Sequence, residues 1–240
     1  MTSMRKARRA AVWMAVGSFV ALAALLTVPA SRAQQIAVDV ELVLAIDCSY
    51  SVDAREFELQ MTGLAAAFRH PAVVAAIQAG DRGAIGVAVV QWSGAATQST
   101  VVPWTLITDA ASGAALATRI EAAPRMTREG ATSISAMVAY GIRSIESNRL
   151  AGARRVIDIS ADGFNNTGYR IRTVATLAAL SGVTVNGLAI LNEVPMLGIY
   201  FEKHVIAGAG AFAMEANDYH HYAVAILRKL IREIGNPAVT

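Results

Sequence analysis

Apolar runs closed by short polar turns alternate along the chain with stretches whose apolar positions recur every three or four residues. The run 41–46 stops abruptly at Asp47. Four to eight apolar residues bounded by a polar turn predict a strand buried on both faces, here from about residue 39. Asp53-Ala-Arg-Glu56 has capping-box spacing and predicts a helix from Ala54, with Phe57, Met61, Leu64 and Phe68 on one face. Residues 84–92 form a second apolar strand, and 99–106 its hairpin partner, where Pro103 marks a sheet edge. A helix over 109–122 takes Asp109 as N-cap. The polar segment 127–133 leads into a helix striped by Ile134, Met137, Val138, Ile142 and Ile145. A strand over 154–161 ends in Asp162-Gly163, followed by a helix at 169–180 and a strand at 183–191. A short helix at 199–206, a short strand at 212–215 and a closing helix at 218–234 complete the pattern. Strands alternating with helices predict an α/β domain whose parallel sheet is covered on both faces.

The first residues read differently. Arg5, Lys6, Arg8 and Arg9 precede an apolar run over 10–28, and Ser31 and Ala33 supply small residues three and one before a cleavage point. That pattern predicts a secretory signal peptide over 1–33, a linker at 34–37, one domain over 38–235 and a tail at 236–240. An uncleaved anchor is the alternative, because the run is nearly long enough to span a bilayer. The small-residue site favours cleavage and a periplasmic or secreted destination, with no membrane span in the mature chain. The leader also changes the charge. The whole chain carries +3, but five basic residues and no acid lie in 1–33, leaving 16 basic against 18 acidic residues. The positive balance belongs to the leader and gives no case for nucleic acid as a partner. Cys48 is the only cysteine, so no intramolecular disulfide forms and stability must come from the core.

Candidate chemistry collects at strand ends. Asp47, Ser49 and Ser51 place one carboxylate and two hydroxyls where the first strand stops, the edge at which open α/β sheets bind ligands. Such an oxygen set suits a hard divalent cation. Asp53 already supplies the helix cap, so capping alone does not account for the cluster. Enzyme signatures are missing from the sequence. Arg55 stands one residue too far from Cys48 for a cysteine-phosphatase loop, and there is neither a Gly-x-Ser-x-Gly elbow nor a Walker loop. Cys48 reads as a small buried hydrophobe. Asp158, inside an apolar strand, needs a partner and reads as a paired structural residue at the sheet rim.

Asp47-x-Ser49-x-Ser51 after the first strand resembles the metal-ion-dependent adhesion site, or MIDAS, of von Willebrand factor A domains. Gly130-Ala-Thr132 and Asp162-Gly163 resemble that family's second and third metal loops, and the likeness spans residues 38–235, including exported bacterial members of undefined function. The resemblance implies a Rossmann-like, doubly wound, mostly parallel six-stranded sheet of order 3-2-1-4-5-6 with helices on both faces. It implies direct ligation by Ser49 and Ser51, water-mediated ligation by Asp47 and Asp162, and ligation by Thr132 when a ligand engages the ion. Tyr50 stands where the family often has glycine. Two carboxylates and three hydroxyls leave Mg²⁺ formally neutral and open to a further anion, with Mn²⁺ or Ca²⁺ as alternatives. The function expected is capture of a protein or peptide partner through an acidic group on the ion, without catalysis. The rivals are a metal-assisted hydrolase and a structural envelope subunit with a vestigial ion site.

Overall fold

The structure is a computed structural model that describes residues 35–126 and 130–235. The expected leader, the tail at 236–240 and residues 127–129 of the second loop lie outside the described residues. The strands are β1 (Ile36–Asp47), β2 (Ile85–Trp92), β3 (Gln98–Ile107), β4 (Leu150–Ala161), β5 (Thr184–Ile190) and β6 (Ala213–Ala216). The α-helices are α1 (Ala54–Arg69), α2 (Pro71–Gln78), α3 (Ala110–Ala122), α4 (Ile134–Glu146), α5 (Thr173–Ser181), α6 (Leu197–Tyr200) and α7 (Tyr222–Ile234). A π-helical turn, Phe201–Val205, continues α6.

One sheet runs in the order β3-β2-β1-β4-β5-β6, parallel except for the antiparallel β2–β3 pair. Every residue of β1 from Val40 onward is buried, as is all of β2. Both faces of these strands are therefore covered, which is why the sequence shows unbroken apolar runs there instead of alternation. Side chains from α1, α2, α3 and α7 form the core on one face. Those of α4, α5, α6 and the π turn form it on the other. Pro103 lies on edge strand β3 at a register shift, where it costs no ladder hydrogen bond. α1 and α3 approach closely at Gly113, where a Cβ would come within 2.7 Å of the Phe68 carbonyl oxygen.

Several elements differ from expectation for local reasons. β1 begins at Ile36, inside the expected linker, because Ile36 N donates to the Arg149 carbonyl and pairs β1 with the start of β4. α2 was not foreseen; His70 Nδ1 accepts from Ala72 N at 3.2 Å, and Pro71 follows as the first helical residue, where its missing N–H costs nothing. α5 starts at Thr173 instead of Tyr169, since the Tyr169 carbonyl is held by Ser135 Oγ and Asn165 Nδ2. α7 starts at Tyr222 because Asp218 turns the chain by accepting from His221 N at 3.0 Å.

Asp158 has the partner it needed, but under α7 rather than at the rim. Lys229 Nζ, wholly buried, lies 2.6 Å from Asp158 Oδ1 and 3.3 Å from Glu233 Oε1. Asn186 Nδ2 donates to the same Glu233 oxygen at 2.6 Å. Burial first, and the neighbouring Asp158 charge second, push the Glu233 carboxyl upward. That upward push favours the neutral form of Glu233, which lowers the charge the buried cluster must carry.

Candidate metal centre

β1 and β4 are neighbours whose following helices pack on opposite faces, so their C-terminal ends frame the crevice at the switch point. The chain turns at Asp47 because Asp47 Oδ1 accepts from Ser49 N at 2.7 Å. Ser49 Oγ lies 3.3 Å from Ser51 Oγ, and Ser51 Oγ donates to Asp162 Oδ1 at 2.7 Å. That bond joins the first and third loops across 111 residues of sequence. Asp47, Ser49 and Asp162 are buried, while Ser51 faces solvent.

The second loop is stitched to both of the others. Tyr50 N donates to the Gly130 carbonyl at 3.0 Å, linking it to the first. Thr132 N donates to Asn166 Oδ1 at 2.8 Å, and Asn166 N returns a bond to the Thr132 carbonyl at 2.9 Å. Asn165 Oδ1 accepts from Ser135 N at 3.0 Å. Asn165 and Asn166 thus hold the second and third loops together. Ser133, not Thr132, is the N-cap of α4, and its hydroxyl donates to the Thr167 carbonyl. Thr132 is thereby left free of capping. Its hydroxyl stands beside the third loop, 3.6 Å from where a Cβ on Gly163 would lie.

Two supports were invisible in the sequence. Arg125 donates to the carbonyls of Val52 at 2.8 Å, Asp53 at 3.0 Å and Cys48 at 3.2 Å, and so pins the first loop from below. Tyr219 OH, buried just ahead of α7, donates to Asp162 Oδ2 at 3.0 Å. Neither residue carries a motif; only their position in the fold brings them here. Groups that orient a metal-binding carboxylate typically change affinity 10–100-fold when lost. Tyr219→Phe is therefore expected to weaken divalent-cation affinity about tenfold while the protein stays folded, as read by calorimetric titration and circular dichroism.

Asp47 Oδ2 is buried and has no hydrogen-bond partner among the described residues. Burial, followed by the charge of Asp162, raises the Asp47 carboxyl to about 7. An unpaired carboxylate oxygen facing a second carboxylate is costly unless a cation lies between them. Asp47, Ser49, Ser51, Thr132 and Asp162 supply only oxygens, and two are anionic, so the donor set fits a hard divalent ion. Among the described residues no trio of His, Cys, Asp or Glu is grouped to hold a metal, so the hydroxyls are indispensable to such a site. Cys48 is buried, and burial pushes its thiol up to about 12, which leaves no thiolate for chemistry.

The model of the family described as "Protein of unknown function (DUF1194)" matches residues 37–238. The chain belongs to that family. No curated protein matches it in sequence. Among solved structures, the DUF1194 chain has the fold of von Willebrand factor A domains. It superposes on mussel byssus proximal thread matrix protein 1 with a zinc-occupied MIDAS motif at TM-score 0.56 and 16% identity, covering 83% of this chain and 48% of that one. A von Willebrand factor type A protein from Catenulispora acidiphila gives TM-score 0.55 and 18% identity, over 83% of this chain and 43% of that one. The von Willebrand factor domain of the pilus tip protein Mfa5 from Porphyromonas gingivalis gives 0.54 and 11%, over 85% and 98%. The DUF1194 chain thus spans about half the length of the mussel protein. At these identities the likeness is one of fold.

Proposed function

We propose that this DUF1194 domain captures a protein partner through a divalent cation held by Asp47, Ser49, Ser51, Thr132 and Asp162. What supports this reading is the buried, partnerless Asp47 Oδ2, together with the contact of Ser51 Oγ with both Ser49 Oγ and Asp162 and the Thr132 hydroxyl beside the third loop. Mg²⁺ matches the all-oxygen set; Mn²⁺ and Ca²⁺ share its ligand preferences. With two anionic residues in the shell the ion is formally neutralised yet still electrophilic, so a partner's carboxylate can displace water and complete the coordination. The zinc in the mussel relative and the pilus-tip setting of the Porphyromonas one support a cation-dependent binding role outside the cytoplasm. On this reading residues 1–33 are a cleaved secretory leader, 38–235 are the binding domain, and the site works in the periplasm or beyond the cell. Among the described residues no helix is long and apolar enough to cross a membrane.

A hydrolytic role would need a general base within reach of the ion's water. Glu56, in the first turn of α1, is committed elsewhere: Oε2 accepts from Asp53 N at 2.8 Å and Oε1 from Asn192 Nδ2 at 2.9 Å. Recognition without turnover is the better fit. Calorimetric titration with Mg²⁺, Mn²⁺, Ca²⁺ and Zn²⁺ should show one site, and a carboxylate peptide should be retained with the ion and released by chelator. Absence of binding for all four ions at millimolar concentration would end this reading.

A further inference from the structure

We propose that the partner segment presents a single carboxylate flanked by aromatic or branched aliphatic side chains, received by an apolar rim built on the ion's own loops. The inference rests on the cation-bridged reading above and adds the chemistry of the ligand. Ten large apolar side chains are exposed among the described residues, and six of them stand at the site's edge of the sheet: Tyr50, Met126, Phe164, Tyr169, Met196 and Ile199. Single exposed hydrophobes are ordinary on a protein surface; their concentration around one site marks a contact surface.

The rim is tied to the donor set. Tyr50 lies between Ser49 and Ser51, is 77% exposed, and has its backbone fixed by the bond to the Gly130 carbonyl. Phe164 follows Asp162 by two residues and is 44% exposed. Its ring meets that of Tyr200 edge-on at 4.8 Å, and the Tyr200 hydroxyl accepts from Asn165 N at 3.2 Å. α6 is thereby braced against the third loop, and Ile199 stands next to that brace. An incoming side chain on either side of the carboxylate meets preset apolar surface.

Charge decides how many acids the partner brings. Asp47 and Asp162 together neutralise a divalent ion, so the first incoming carboxylate is bound by coordination. A second would face Glu56 and Glu193, which share Asn192 Nδ2 at 2.9 and 3.2 Å on the same rim. Bringing a further carboxylate up to these two acids is unfavourable. Polyacidic segments are therefore disfavoured, and one acid between apolar neighbours fits.

The test uses the full chain in saturating Mg²⁺ with blocked pentapeptides of sequence Gly-Phe-Asp-Leu-Gly, Gly-Ser-Asp-Ser-Gly and Gly-Asp-Asp-Asp-Gly, titrated by NMR. The first should bind about tenfold more tightly than either of the others, the gain expected from partial burial of two apolar side chains. In Tyr50→Ser combined with Phe164→Ser, that preference should fall below about threefold while Mg²⁺ affinity stays at the wild-type value. Equal, chelator-sensitive binding of all three peptides to the unaltered chain would overturn the rim and leave cation-bridged capture standing. Failure of every peptide to respond to Mg²⁺ would overturn both.

Discussion

Lys229→Ala is expected to destabilise the protein by about 3–5 kcal/mol, the usual cost of stranding a buried partner charge. The ammonium is wholly buried between Asp158 and Glu233, and both carboxyl groups are as hidden as it is. Removing it leaves Asp158 buried in the core without its cation. The cluster does not have to be a source of stability to make this so, because well-packed apolar residues often replace buried ion pairs without loss. Lys229→Met combined with Asp158→Leu should accordingly recover most of the deficit. Urea unfolding at unchanged slope separates the two cases. A single-variant loss below about 1 kcal/mol would mean that Asp158 finds another proton or partner.

Asp47→Asn should abolish cation-induced stabilisation and leave the metal-free fold at least as stable as before. Asparagine keeps the oxygen that accepts from Ser49 N, so the turn survives. It removes the buried charge whose second oxygen has no partner and which Asp162 repels. For the unaltered protein, an ion at 100 times its dissociation constant stabilises the folded state by about 2.7 kcal/mol. In the variant a single carboxylate remains to balance a doubly charged ion, and that increment should vanish from thermal unfolding curves with and without Mg²⁺. An undiminished rise in melting temperature would place the ion elsewhere.

The sequence made the architecture readable because the central strands are apolar without interruption and the helices between them carry one-sided stripes. The capping box at Asp53 and Glu56, the cap at Asp109 and the edge position of Pro103 followed from local chemistry, and all three stand in the structure. The helix start at Thr173 was misplaced because the Ser135 side chain, distant in sequence, claims the Tyr169 carbonyl, and that at Tyr222 because Asp218 turns the chain locally on His221 N. The short α2 was missed, since its eight residues carry too little periodicity to separate it from a turn. Asp47, Ser49, Ser51, Thr132 and Asp162 could be picked out because each sits at a strand end or helix start. Arg125 and Tyr219 could not, because their parts depend on the tertiary path alone. Asp158 announced a partner by its burial, but Lys229 looked like any polar position on an amphipathic helix.

The hydrogen bond from Tyr219 to Asp162 has a consequence for biosynthesis. The Asp47 turn leaves the ribosome early, but the phenol that holds Asp162 comes 57 residues after that aspartate, just before α7. A nascent chain therefore carries all three loops before the residue that holds Asp162 from the other side is made. That contact is completed late, with the segment ahead of α7, so a product cut short before Tyr219 would leave Asp162 Oδ2 without its phenol donor.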